Sequence, residues 1–231
     1  MNFLTRIALI GAMLCCAIGT ANAETTTFGP SAYLQTGDTP AGFFCAECVG
    51  FIEDFELEGV PDPFLTLDNG VALSPNSFSG LTNSVTDSVD GDDGVVDGQG
   101  NDGWSWFADS DSLEISFANT VKNAGLVFTD GDRVSTNIRL EAFDLDGNLL
   151  AAIDAGDLAD DMFTGETEED RFLGFSNSDG SIASIVLTME GGTGLEIDHV
   201  HWQEACAIPE PSSSLMAIFA VLGLIGLRKR R

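Results

Sequence analysis

Short stretches in which apolar and polar residues alternate recur along the middle of the chain. In SLEISFA, polar residues separate Leu113, Ile115 and Phe117, so these three apolar side chains share one face of an extended strand. Similar stretches are AGLVFT, NIRLEAFDLDGNLLAAID, IASIVLTME and LEIDHVHWQ, and GFIEDFELEG can form a first strand. Helical periodicity is not sustained between the termini, apart from a short turn near DLADDMF. The pattern predicts a protein built from β-strands.

Turn signals separate these predicted strands. Asp146-Gly147 lies between two apolar runs and predicts a tight hairpin, because glycine tolerates the positive φ that such a turn needs. Two further pairs punctuate the chain in the same way, Asp130-Gly131 and Asp179-Gly180. Short strands with glycine-rich turns favour an all-β fold, a single antiparallel β-sandwich of the jelly-roll type. We expect this domain over residues 43–206, after an irregular polar lead-in at 24–42.

The last predicted strand contains the sequence DHVHW. His199 and His201 are two residues apart and share a face, a spacing that can chelate a metal ion. Leu195 and Ile197 have the same parity as the histidines, whereas the next apolar residues, from Val200 onward, have the other. The apolar pattern therefore needs a bulge or a strand end, and it favours two surface histidines after a bulge.

Acidic residues concentrate in TNSVTDSVDGDDGVVDGQGNDG, residues 82–103. Carboxylates spaced by glycine suit Ca²⁺, which takes hard oxygen ligands from a loose backbone, and the candidate ligands are Asp90, Asp92 and Asp97. The segment lacks the glutamate that an EF-hand loop has at its twelfth position. A mobile acidic loop is the alternative.

A second candidate calcium site joins the first predicted strand to the last. It would combine Glu53, or its neighbours Asp54 and Glu56, with Asp198. The analogy is with carbohydrate-binding modules of the β-sandwich class, in which a structural calcium often lies between such strands.

Three cysteines remain if the N-terminal segment is removed: Cys45, Cys48 and Cys206. In an oxidising compartment a disulfide is the default, and it would lie within Cys45-Cys48 or join one of them to Cys206. CAEC also has the C-x-x-C form of redox and zinc sites, but no second such pair accompanies it.

Trp104 and Trp106 share a face of another extended stretch, GWSWF. They would either stack on sugar rings or pack in the core or at a sheet edge. The sequence has no G-x-S-x-G elbow, H-E-x-x-H helix or phosphate-binding glycine loop. Its many carboxylates would permit a glycosidase-like pair, yet we expect a non-catalytic protein.

The chain is strongly acidic, with 37 Asp and Glu against 9 Lys and Arg and a formal net charge of −28. A nucleic-acid partner is disfavoured, because phosphate binding needs the opposite sign of charge. Basic residues are scarce between the terminal segments, where they are Lys122, Arg133, Arg139 and Arg171.

The N-terminal segment has the form of a secretory signal peptide. MNFLTRIALIGAMLCCAIGTANA carries one early positive charge, an apolar run and a small-residue ending at Ala21-Asn22-Ala23. We therefore expect residues 1–23 to be removed during export.

The C-terminal segment, residues 208–231, combines three features. Pro209, Glu210 and Pro211 come first, and residues 212–227 follow without a charge, enough for a short transmembrane helix. A basic end closes the chain, formed by Arg228, Lys229, Arg230 and Arg231. Basic residues favour the cytoplasmic side, which leaves the acidic body outside.

This order of Pro-Glu-Pro, hydrophobic helix and basic end resembles the PEP-CTERM protein-sorting signal. The resemblance implies processing by an exosortase, a membrane transpeptidase, during delivery to the cell surface in bacteria that make an exopolysaccharide matrix. It makes Pro209, Glu210 and Pro211 recognition residues. The expected protein is a non-catalytic surface or matrix protein that is membrane-anchored before processing; a glycan-binding module is the first alternative, and a secreted hydrolase the second.

Overall fold

The structure, a computed structural model, describes residues 23–46, 48–56, 71–75, 79–83, 88–100, 103–131, 137–158, 165 and 167–205. Eleven strands occur in these ranges, and every pair of neighbouring strands is antiparallel. The strands are β1 (Thr25–Ala32), β2 (Gly50–Glu53), β3 (Ala72–Pro75), β4 (Ser79–Asn83), β5 (Trp104–Ala108), β6 (Ser112–Gly131), β7 (Asn137–Phe143), β8 (Leu149–Gly156), β9 (Arg171–Asn177), β10 (Ile182–Glu190) and β11 (Leu195–Glu204). Short 3₁₀ turns cover Thr36–Asp38 and Asp90–Asp93. The predicted all-β antiparallel class is confirmed.

One long strand organises the sheet. The two stretches SLEISFA and AGLVFT, predicted as separate strands, are halves of the 20-residue β6. The first half pairs with β10 and β3, and the second half pairs with β11 and β9. Because β6 pairs with four other strands, all eleven described strands belong to one nearly barrel-like network.

The burial pattern of β6 explains its sequence. In the first half Leu113, Ile115 and Phe117 are buried while Glu114 is exposed, the alternation of a strand with one covered face. From Ala124 to Gly131 every residue is buried, because both faces of this half are covered. A run without alternation is typical of such a strand.

The predicted hairpin at Asp146-Gly147 is confirmed as the turn between β7 and β8. Gly147 has a φ of 77°, which favours glycine. The Asp144 carboxylate accepts hydrogen bonds from the backbone N–H groups of Asp146 at 2.9 Å and Asn148 at 2.8 Å. The local sequence therefore builds this turn from its own side chains.

The lead-in at 24–42 is not wholly irregular, which corrects the prediction. Its first part forms β1, which pairs with β9 over Thr25–Ala32 and is mostly exposed. Hydrophobic alternation could not reveal this strand, because Phe28 is its only large apolar residue. Backbone pairing with β9 holds this strand in the sheet.

Two apolar clusters lie on opposite faces of the sheet. In β9 Phe172 belongs to a small cluster while the next residue, Leu173, belongs to the main core. Adjacent residues of a strand point to opposite faces, so the small cluster covers the side of β9 away from the main core. Its buried members are Tyr33, Phe43, Val89, Val127 and Phe172.

Gly29 in β1 allows a close backbone approach, which gives a stability prediction. A Cβ added there would lie 2.0 Å from the carbonyl oxygen of Phe172, at a φ of 87°. Gly42 has a similar φ of 84°, but a Cβ there meets nothing within 4 Å. We expect Gly29→Ala to lower the free energy of unfolding by about 2 kcal/mol and Gly42→Ala by about 1 kcal/mol. Urea denaturation measures both, and equal losses would contradict the close approach.

Candidate functional site

The last strand, β11, is interrupted where its neighbour changes. Along one edge, Leu195–Ile197 pair with β5 and Val200–Gln203 pair with β2. Asp198 and His199 lie between these two pairings. On the other edge, the register against β6 shifts between Asp198 and His201. His199 has a φ of 42°, in the left-handed region that non-glycine residues seldom adopt. The bulge that the apolar parity predicted is therefore confirmed.

The prediction that the two histidines lie on the surface is wrong. His199 is 1% exposed and His201 is fully buried. The small apolar cluster covers this face of β11, and the His201 ring centroid lies 5.1 Å from Phe172 and 5.5 Å from Tyr33. Burial lowers the pKa of His201 to about 3, so its ring is neutral.

The acidic segment docks onto the bulge. The backbone N–H of Val89 donates to Asp198 Oδ2 at 3.0 Å, and the N–H of Gly91 donates to the Leu34 carbonyl oxygen at 2.8 Å. Val89 and Asp90 are buried. The mobile-loop alternative therefore does not describe residues 88–93, which are held between the 33–38 segment and β11.

This docking places three side chains together. Asp92, Asp198 and His199 each offer a potential ligand atom, and the three atoms lie within 4.8 Å of one another. His199 Nε2 is 3.6 Å from Asp92 Oδ1, and His199 Nδ1 is 3.3 Å from Asp198 Oδ1. The Asp92 side chain is 9% exposed, and those of Asp198 and His199 are at or below 1%. We refer to these three residues as the bulge cluster.

The bulge cluster lies in a strongly acidic, poorly hydrated environment. Burial and the charge of Asp198 raise the pKa of Asp92 to about 10. Burial and the charge of Asp198 also raise the pKa of Asp170, which is fully buried just before β9. Burial raises the pKa of Glu56 as well. Carboxylates packed this closely need a proton or a cation between them.

The structure combines one member of each predicted calcium site. Asp92 of the acidic segment and Asp198 of the last strand come together, whereas Asp90, Asp97 and Glu53 do not join them among the described residues. Asp90 instead holds its own loop, accepting backbone hydrogen bonds from residues 97–99. The Asp97 side chain is exposed, and Glu53 accepts a hydrogen bond from the N–H of Phe55.

Sequence reasoning did not connect His199 or Asp170 with this site. The sequence pairs His199 with His201 on one face or offers either histidine to a zinc site with CAEC, and neither pattern points to Asp92 or Asp198. Asp170 stands in EEDRF, which offers no spacing pattern that points to the last strand. The one available signal was the phase break in LEIDHVHW, because a bulge turns adjacent side chains toward the same neighbour.

The two tryptophans occupy different environments. Trp106 is fully buried in the main core, so it presents no ring face to a sugar and the packing alternative describes it. Trp104 is half-buried and packs against the same core. The Trp104 backbone N–H donates to Glu56 Oε1 at 2.8 Å. This burial removes Trp106 as a candidate for glycan stacking.

Gln203 joins the cysteine-containing segment to the last strand. Its side-chain N–H groups donate to the carbonyl oxygens of Cys45 at 3.1 Å and Cys48 at 3.0 Å, and its oxygen accepts the Cys45 N–H at 2.9 Å. Cys48 takes part in a disulfide. Cys206 lies outside the described residues, so the choice among the predicted pairings stays a prediction.

A separate surface groove of about 490 Å³ lies across β6, β7 and β10. Its lining includes Phe117, Phe143, Leu145 and Glu114. Leu145 is 79% exposed, so the groove has apolar and acidic borders.

The predicted signal peptide and sorting tail are not part of the described ranges, except Ala23. Within those ranges the chain forms no helix with the length and apolar character needed to span a bilayer. Neither the comparison with protein-family models nor the search of curated proteins finds a match for this chain.

Proposed function

We propose that the chain is an exported, non-catalytic protein of the cell surface or extracellular matrix. Residues 1–23 direct export, and residues 208–231 act as a sorting signal of the PEP-CTERM type. The ordered combination of Pro209-Glu210-Pro211, a charge-free segment and a basic end is the observation that carries this proposal. Its partner is an exosortase, which recognises the tripeptide before the protein reaches the surface or an exopolysaccharide matrix.

The physical character of the tail supports this route. Residues 212–227 would give a helix of about 24 Å at 1.5 Å per residue, close to a hydrocarbon core of about 30 Å. The two prolines keep the tripeptide out of that helix, which leaves it extended for a processing enzyme. The basic end stays cytoplasmic while the acidic domain is exported.

The exported part is proposed to be a β-sandwich of the jelly-roll type over residues 43–206, extended by the strand in the lead-in. Its described residues support a structural role, because the polar groups that converge at β11 are buried. Glutamate and aspartate on the outside keep such a domain soluble in an anionic or hydrated matrix.

Glycan binding is the second candidate function, and the groove across β6, β7 and β10 favours it. Phe143 and Leu145 offer apolar surface to a sugar ring, and the exposed Glu114 can accept hydrogen bonds from its hydroxyl groups. Phe143→Ala should then weaken retention on the organism's own exopolysaccharide while the fold is kept.

The sorting proposal predicts a dependence on exosortase. In cells with the enzyme we expect a species that starts near Glu24, ends near Pro209–Pro211 and is found at the surface; without it, a longer species stays in the inner membrane. Intact mass spectrometry of cell fractions measures both. Substitution of Glu210 by Ala should reproduce the loss of processing. The same full-length membrane species in both strains would overturn the proposal.

A further inference from the structure

We infer that the bulge cluster, Asp92, Asp198 and His199, binds one divalent first-row transition ion that fastens the acidic segment to the last strand. This site is independent of the sorting tail, since all its residues lie in the exported domain. The inference rests on the spacing of the three side chains, their unpartnered polar atoms and the chemistry of the donor set.

The spacing fits ligands of a single small ion. Two ligand atoms that each lie about 2.1 Å from an ion, at a tetrahedral angle, are about 3.4 Å apart. His199 Nε2 and Asp92 Oδ1 are 3.6 Å apart, and the potential ligand atoms of all three residues lie within 4.8 Å. The three residues are therefore close enough to share one ion. His199 Nδ1 lies 3.3 Å from Asp198 Oδ1, so each ring nitrogen is at about the ligand-to-ligand distance from one carboxylate oxygen.

Several buried polar atoms around the cluster have no hydrogen-bond partner among the described residues. They are His199 Nδ1, Asp92 Oδ2 and both carboxyl oxygens of Asp170. His199 is 1% exposed and Asp170 is fully buried, so bulk water does not satisfy these atoms. Buried polar groups are normally paired, and groups left without a protein partner commonly mark a bound ion or an ordered water.

The charges of the site also call for a cation. Asp92 and Asp198 together carry two negative charges when ionised, and one divalent ion neutralises both. Asp170 and Glu56 add further carboxylates near Asp198 and Asp92. Among the described residues, the ion pairs of Asp92 and Asp198 are formed with His199 and not with Lys or Arg, and the charge of Arg171 only partly offsets the raised pKa of Asp170.

The donor set favours a transition ion over the Ca²⁺ expected from the acidic segment. Ca²⁺ takes six to eight oxygen ligands, whereas an imidazole nitrogen suits Zn²⁺, Cu²⁺, Fe²⁺ or Ni²⁺. The cluster offers one nitrogen and two carboxylates in a buried space. Zn²⁺ accepts such a mixed set with a fourth position filled by water or another oxygen.

The position of the site indicates what the ion would do. Asp92 belongs to the 3₁₀ turn of the acidic segment, and Asp198 and His199 belong to β11. An ion shared by them would link the gap between β5 and β2 to the segment that covers it. The expected role is structural, with the ion adding to the Val89–Asp198 hydrogen bond.

The test is metal binding by the purified protein after treatment with a chelator and dialysis. Titration calorimetry and elemental analysis should give one Zn²⁺ per chain, bound at least about 100-fold more tightly than Ca²⁺. His199→Gln should weaken Zn²⁺ binding by about 100-fold, in the range expected for loss of a ligand or its support. Asp97→Asn, which removes an exposed carboxylate from the same segment, should leave the affinity unchanged within about twofold.

A second measurement keeps the inference testable if His199→Gln fails to fold. Co²⁺ added to the wild-type protein should give visible absorption bands of a nitrogen- and oxygen-ligated ion, and Zn²⁺ should displace it. An intense sulfur-to-cobalt charge-transfer band would place the ion on a cysteine and overturn the inference. Tighter binding of Ca²⁺ than Zn²⁺, no stoichiometric binding, or unchanged binding in a folded His199→Gln variant would also overturn it.

Discussion

Replacing Trp106 by Ala should lower the free energy of unfolding by about 3–5 kcal/mol, the range for removing a large aromatic side chain from a core. Trp106 is the largest fully buried side chain of the described residues and lies in the main core, with its ring centroid 6.3 Å from that of Phe55. Ala would leave a cavity between β5 and the strands it packs against. Urea or thermal denaturation followed by circular dichroism measures the loss.

Trp104 provides the matched control, because it lies two residues away on the same strand and is only half-buried. Trp104→Ala should cost about 1–2 kcal/mol. If Trp106→Ala left stability unchanged but abolished binding to exopolysaccharide, Trp106 would be a surface stacking residue, and its placement in the core would be contradicted. The pair of variants therefore separates packing from glycan recognition.

Replacing Asp92 by Asn should stabilise the metal-free protein by about 2–3 kcal/mol, because Asn is neutral in both states, whereas Asp92, with a pKa raised to about 10, must take up a proton on folding at neutral pH. The Asp92 side chain is 9% exposed, and burial and Asp198 both disfavour its ionised form. Asn keeps the size of the side chain and can donate to the neighbouring carboxylate. Denaturation in the presence of a chelator measures the effect.

Asp97→Asn is the control for this prediction, since it makes the same change of charge at an exposed position of the same segment. It should alter stability by less than about 0.5 kcal/mol. Saturating Zn²⁺ should reverse the order of wild type and Asp92→Asn, because only the wild type keeps both carboxylate ligands. A metal-free Asp92→Asn variant less stable than the wild type would show that burial of the Asp92 carboxyl group does not destabilise the protein.

The strands with strong local signals were predictable. Alternation in SLEISFA and the Asp-Gly pair at Asp146-Gly147 act within a few residues, so the sequence itself reports them. β1, β3, β4 and β9 are not among the predicted strands. β1 has a single large apolar residue, and β9 is buried on both faces, so neither shows alternation. β1 and β9 are held in the sheet by pairing with strands that lie far away in the sequence.

The candidate site was half predictable. Asp92 and Asp198 were each assigned to a cation site, but to two different sites, because they are more than a hundred residues apart in sequence. Nothing local indicates that the segment of Asp92 would cover the end of β5 and approach β11. His199 was expected on the surface because the small apolar cluster that buries it comes from residues 28–44, 89, 127 and 172.

The sequence by itself determined the all-β class, the hairpin between β7 and β8, and the phase break in the last strand. These follow from short-range rules, in which the period of the apolar residues and the turn residues fix the local backbone. Only the tertiary structure showed that the phase break of β11 falls between its pairing with β5 and its pairing with β2, and which side chains meet there. Burial and proximity of distant carboxylates depend on how strands far apart in sequence pair, and the cost of bringing such carboxylates together is what makes the bulge cluster a candidate site.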